Sequence, residues 1–144
     1  MNNQEVLGWL RGVVKIFDSG ASVDYIEHTR PEFKIITEDS RLIGSHGENL
    51  KALEYLVGQV SEYQQGSRPS LDINDYKKER QEKLMMMAEG AADQVVATGR
   101  DKVLSEMNSF ERRIIHMVLA DRADVETESV GDGRLKRVKI IPKK

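Results

Sequence analysis

Leu42-Ile43-Gly44-Ser45-His46-Gly47-Glu48-Asn49-Leu50 is the stretch on which the reading of this chain turns. Its two glycines stand three apart, ahead of Leu50, Leu53, Leu56, Val57 and Val60, with Glu48, Lys51, Glu54 and Glu62 opposite. That spacing predicts a helix of about four turns. Glycines at its entrance let the backbone turn sharply and let a phosphate approach closely. The amides entering the helix point at the same place, where the dipole favours negative charge. Gly44, Ser45, His46, Gly47 and Glu48 are therefore candidate phosphate-holding residues. The corner of a plain helix–turn–helix needs the same glycines, and spacing alone leaves both readings open.

Outward toward the N-terminus, Val6, Leu7, Leu10, Val13, Val14 and Phe17 form the stripe of an amphipathic helix over residues 3–17. Asp18-Ser19-Gly20 ends it. Residues 21–28 and 32–38 are rich in β-formers around a turn at Thr29-Arg30-Pro31, and read as two antiparallel strands. A short helical segment, Asp39–Ile43, leads into the glycine corner. Beyond the following helix, residues 64–69 break the pattern and Ser70–Ile73 reads as a third strand.

Asn74-Asp75 reads as a helix cap and a domain boundary. A long helix is predicted from Tyr76 to about Thr98, with Leu84, Met87, Ala88, Ala91 and Val95 inward and Gly99 just past its end. Residues 102–104 form a short strand candidate. Asn108 and Glu111 resemble a capping box ahead of a helix running to about Ala120. Residues 125–130 and 135–141, around Gly131-Asp132-Gly133, read as a hairpin. On the capped helix, Arg112 and His116 lie about 40° apart on one face, with Arg113 beside them. An ordinary solvated face has the same appearance.

The order of elements carries a resemblance. Helix, strand, strand, helix, Gly-x-x-Gly, helix, strand over residues 1–74, with Leu42–Leu50 at its centre, resembles a type II KH domain. The resemblance implies that the loop clamps a single strand of about four nucleotides, with bases on an adjoining apolar groove supported by Ile43 and Leu50. Ser45 and His46 stand where that family commonly has Lys or Arg, so the loop brings little charge at neutral pH. Residues 75–144, with Arg112-x-x-x-His116 on a capped helix, Thr127-Glu128-Ser129, a glycine turn and a basic strand, resemble the R-3-H domain, which is associated with single-stranded nucleic acid. There Arg112 would contact phosphate or stack on a base and His116 would add a hydrogen bond or a ring face. Arg113, Arg134, Lys136, Arg137 and Lys139 would extend the cationic track if the hairpin lies beside this helix.

Both modules in this order resemble the bacterial Jag (SpoIIIJ-associated, KhpB-type) family, without that family's Jag-N domain. The expectation is an α+β chain of two small modules, KH type II (α-β-β-α-α-β) then R-3-H (α-β-α-β-β). It would bind single-stranded RNA, or single-stranded DNA, without catalysis. The family links to cell elongation and division and to a small KH-domain partner, and implies a post-transcriptional regulator or RNA chaperone. The competing expectation is a protein–protein adaptor whose first half dimerises while only the second half binds nucleic acid.

Composition sets the limits. The 144 residues carry 22 Lys+Arg against 24 Asp+Glu and no Cys, which removes disulfides, thiolate nucleophiles and Cys-type zinc sites. His28, His46 and His116 share no metal-ligand spacing, and no cofactor motif appears. No apolar run approaches the roughly 20 residues of a membrane span, and the N-terminus lacks a signal-peptide pattern, so a cytoplasmic protein is expected. The net charge of −2 hides an asymmetry. Residues 1–74 hold 7 basic and 11 acidic side chains, residues 75–144 hold 15 and 13, and the last eleven residues hold six basic and no acidic ones. Most electrostatic binding is thus expected from the second half.

Overall fold

Asn2 opens the first helix, α1 (Asn3–Phe17), through a reciprocal cap: Glu5 N–H donates to its side chain at 2.9 Å while Asn2 N–H donates to the Glu5 carboxylate at 2.8 Å. The helix buries Val6, Leu7, Leu10 and Val14, four of the six stripe residues, while Phe17 is 43% exposed. Strands β1 (Ser22–Ile26) and β2 (Glu32–Ile36) pair antiparallel, and β3 (Ser70–Ile73) lies parallel to β2, giving the order β1-β2-β3. A parallel pair needs a crossover. Here the chain between β2 and β3 makes two short 3-10 turns, Ser40–Leu42 and Ser45–Gly47, and then helix α2 (Glu48–Val60). Phe33, Ile35, Leu71 and Ile73 line the sheet face on which Leu10, Val14, Leu50, Leu53 and Val57 pack.

The structure, a computed structural model, describes residues 1–143, so Lys144 lies outside the described residues. The chain divides into two units, Met1–Lys77 and from Lys78 onward. The cap expected at Asn74-Asp75 is of another kind. Asn74 takes a positive φ of 54°, and its side-chain amide accepts from Thr37 N–H at 2.9 Å and donates to Thr37 O at 2.7 Å. It thus imitates one more rung between β2 and β3, which explains why β2 stops at Ile36. Asp72 does the capping instead, its carboxylate accepting from Lys77 N–H at 3.3 Å in the first turn of helix α3 (Tyr76–Thr98).

In the second unit α3 buries Leu84, Ala88, Ala91, Ala92 and Val95. Gly99, at φ 70°, donates its N–H to Val95 O and ends the helix. Strand β4 (Lys102–Val103), helix α4 (Ser109–Leu119), β5 (Val125–Val130) and β6 (Arg137–Pro142) follow, with an antiparallel sheet in the order β4-β6-β5. Met107, Ile115, Leu119, Val125, Val138 and Ile140 join the α3 residues in the core. The hairpin's second strand begins at Arg137 rather than at Leu135. Gly131 and Gly133 take φ of 105° and 83°, and Lys136 makes only an isolated bridge to Met107. The fold class is α+β, as expected. No helix among the described residues is long and apolar enough to cross a membrane.

Candidate nucleic-acid interface

The glycine corner is built by its own contacts. Gly44 and Gly47 have φ of 75° and 73°, and His46 between them has φ of 54°. A Cβ on Gly44 would stand 2.8 Å from Asn49 Cγ, and one on Gly47 would stand 2.8 Å from the Tyr76 ring. Both positions therefore require glycine on two counts, left-handed backbone and close packing. Asn49 reaches back to donate to Arg41 O at 2.6 Å. Gly44 N–H donates to Ser40 O at 3.1 Å and Gly47 N–H to Gly44 O at 3.3 Å. Glu48 N–H donates to Ser45 O, so three of the five amides expected to hold phosphate are used by carbonyls of the same segment.

The side chains around the corner add little positive charge. Ser45 and Glu48 are exposed and His46 is half-buried. Leu50, at 3% exposure, belongs to the core rather than to a groove wall, and Ile43 packs half-buried against that core. Beside the corner, Val13, Phe17, Leu42, Leu53 and Leu56 line an apolar hollow of about 560 Å³ with Arg41 and Asn49 at its rim. The Arg41 guanidinium sits 5.6 Å from the Phe17 ring centre, but Asp39 chelates it through bonds of 3.0 and 2.5 Å. Those bonds also hold the Asp39 carboxyl below its ordinary range.

The second unit brings its candidates together. Asn108 caps α4 by accepting from Glu111 N–H at 2.9 Å, and the buried Glu111 carboxylate pairs with Arg80 of α3 at 2.9 Å. The capped helix sets Arg112 and His116 one turn apart over a hollow of about 430 Å³ lined also by Ser109, Arg113, Met117 and Ser129. One guanidinium nitrogen of Arg112 donates to Met107 O at 2.6 Å, which fixes the side chain's direction. His116 Nδ1 lies 2.7 Å from Thr127 Oγ1, and its Nε2 lies 2.9 Å from Ser129 Oγ. Burial, and secondarily the Arg112 charge, push the imidazole below its ordinary pKa. Thr127 and Ser129 had no role in the sequence reading beyond their place in the motif. Their spacing of two on a strand is the signal that puts both hydroxyls on one face.

The basic hairpin residues separate by the same parity. Thr127 pairs with Ile140 and Ser129 with Val138, so these four share the face that meets α4 and the core. Arg137 pairs with Val130 and Lys139 with Glu128, and therefore both leave from the opposite face. There Arg137 lies 3.8 Å from Glu106, and Lys139 lies 3.3 Å from Asp101. Lys136 is half-buried at its bridge, and Arg134 is exposed in the connection before β6. Arg112, Arg113 and His116 are thus together, while Arg137 and Lys139 leave from the other face of the sheet and do not extend their track. Among the described residues no three His, Asp or Glu side chains converge into a set that could hold a metal ion.

Comparison with known proteins matches residues 82–142 to the R-3-H domain. The RNA-binding protein KhpB of Lactiplantibacillus plantarum is 38% identical over 97 residues, covering 66% of this chain and 30% of that protein. KhpB of Streptococcus pneumoniae is 32% identical over 133 residues, 89% of this chain and 40% of the relative. KhpB of Bacillus subtilis is 35% identical over 107 residues, with 72% and 51% covered. The chain thus spans about half or less of the length of these curated relatives.

Proposed function

Because this chain carries an R-3-H domain and is a relative of the KhpB RNA-binding proteins, we propose that it binds single-stranded RNA without catalysis. The observation that carries the reading is the Arg112/His116 hollow. It combines an oriented guanidinium, an imidazole fixed at both nitrogens, and an exposed Arg113 over a concavity of about 430 Å³. A guanidinium whose direction is set by a backbone carbonyl offers its remaining N–H groups to a phosphate at little entropic cost. The first unit, read as a type II KH module, supplies the glycine corner as a secondary contact made through backbone rather than charge. Single-stranded DNA is the competing ligand, and the reading places the protein with RNA in the cytoplasm. A regulatory or chaperone role in cell elongation and division, implied by the resemblance to the Jag family, is part of the same proposal.

The test is fluorescence-anisotropy titration with a labelled single-stranded RNA and its DNA counterpart at two salt concentrations. Tighter binding to RNA, weakened by salt and largely lost in Arg112→Ala/His116→Ala, is the expected result. Binding unchanged in that double variant sinks the assignment.

A second reading rests on a different observation. In the first unit Phe17 is 43% exposed and Leu56 is 47% exposed, both at the apolar hollow near α1 and α2. Such a cluster suits self-association or a small KH-domain partner. Light scattering with and without RNA separates the two, since a dimer indifferent to RNA favours the adaptor reading.

A further inference from the structure

In the Arg112/His116 hollow, both ring nitrogens of His116 are engaged by hydroxyls from one face of β5, at 2.7 Å to Thr127 and 2.9 Å to Ser129. A neutral imidazole has one N–H and one bare nitrogen. Whichever tautomer it adopts, each ring nitrogen already has a partner, so the ring edge has no hydrogen bond left to give a ligand. Ser129 differs from Thr127 in one respect that matters: it is exposed and lines the hollow, whereas Thr127 is half-buried and does not.

We propose that Ser129 is the hydroxyl this hollow presents to a phosphate oxygen of the bound strand, and that His116 is a positioning residue that turns the Ser129 O–H outward. The proposal rests on the nucleic-acid reading above and names the atom that makes the contact. With the ring as the Nε2–H tautomer, Thr127 donates its O–H to Nδ1. Nε2–H then donates to Ser129 Oγ, so the Ser129 hydrogen is free to leave the ring plane toward the hollow. In the other tautomer Ser129 would donate to Nε2 and turn lone pairs outward, which repels an anion. Should the ring become protonated, both nitrogens donate, both hydroxyls accept, and the outward Ser129 donor is retained. The charged side chains lining the hollow are Arg112 and Arg113, both from α4, while β5 contributes the two hydroxyls.

The experiment uses the full chain and a labelled single-stranded RNA oligonucleotide in anisotropy titrations of Ser129→Ala, His116→Ala and the double variant. Ser129→Ala is expected to weaken binding about tenfold, as for one hydrogen bond to a charged group. His116→Ala should cost a similar factor, and the double variant no more than the larger single one, because the two act as one unit. Ser129→Thr, which keeps the hydroxyl, should restore binding to within about twofold. Long-range ¹⁵N–¹H spectra should report His116 as the Nε2–H tautomer. Ser129→Ala binding as the parent does while His116→Ala loses affinity overturns the inference and leaves the nucleic-acid reading standing. Additive losses in the double variant also overturn it. A parent chain that binds no RNA overturns the nucleic-acid reading itself, and this assignment with it.

Discussion

The glycine corner of the first unit and the Arg112/His116 hollow of the second are built by opposite means. The corner is a backbone device. Its glycines sit at φ near 75°, its interior is filled by Asn49 and Tyr76, and Gly44 and Gly47 donate their N–H groups to carbonyls within the loop. The hollow is a side-chain device, in which a capped helix and the pleat of β5 hold a guanidinium, an imidazole and a hydroxyl over one concavity. A backbone device is sensitive to steric change and indifferent to charge. A side-chain device is the reverse.

The sharpest break of that contrast comes from Gly47→Ala. The left-handed backbone and the Tyr76 ring 2.8 Å away should together cost about 2–4 kcal/mol of stability in the first unit. Urea unfolding followed by circular dichroism measures it. A loss below about 1 kcal/mol would mean that the loop relaxes freely and is no fixed device. Next in size, Arg112→Ala should weaken single-stranded RNA binding roughly thirtyfold, about 2 kcal/mol, with a shallower salt slope. Arg112→Lys should fall between, since it keeps charge and loses the planar fork. In contrast, Ser45→Ala/His46→Ala should change affinity by less than about threefold, because the corner is built from backbone rather than from these side chains. A larger loss there than in Arg112→Ala inverts the comparison.

The smallest effect concerns pH. His116 is held below its ordinary value by burial and by Arg112, so the unfolded chain takes up its proton first as pH falls. The associated stability is present above about pH 6.5 and is lost as pH drops through the folded value. Thermal melts at pH 7.5 and 5.5 should therefore show the second unit less stable in acid. Bound RNA should narrow the difference, because a phosphate offsets the Arg112 charge. Equal narrowing in His116→Gln would detach the effect from this residue.

Periodicity made the helices legible. Val6, Leu7, Leu10 and Val14 in α1, and Leu84, Ala88, Ala91 and Val95 in α3, are buried as their spacing demands. The Arg112/His116 face was legible for the same reason, both residues lying on one helix. What could not be read was anything that depends on a partner strand. Asn74 has the composition of a cap, and only the parallel placement of β3 beside β2 turns its amide onto Thr37. Arg137 and Lys139 are expected to extend the Arg112 face if the hairpin lies beside α4. Only the register of Lys139 against Glu128 reveals that they leave from the other face. Thr127 and Ser129 become partners of His116 only because α4 packs on β5. Long-range pairing decides each of these, and a single chain of letters does not contain it.

The pleat of β6 also restricts how this sequence can change length. An extra residue at the start of the strand would turn Val138 and Ile140 out of the core and drive Arg137 and Lys139 into it, exchanging buried apolar groups for unpaired cations. The connection over residues 131–135, ahead of the Lys136 bridge to Met107, has no such parity, and absorbs an insertion at little more than the slow logarithmic cost of a longer loop. Insertions and deletions in this hairpin are thus tolerated before Lys136 and resisted after it.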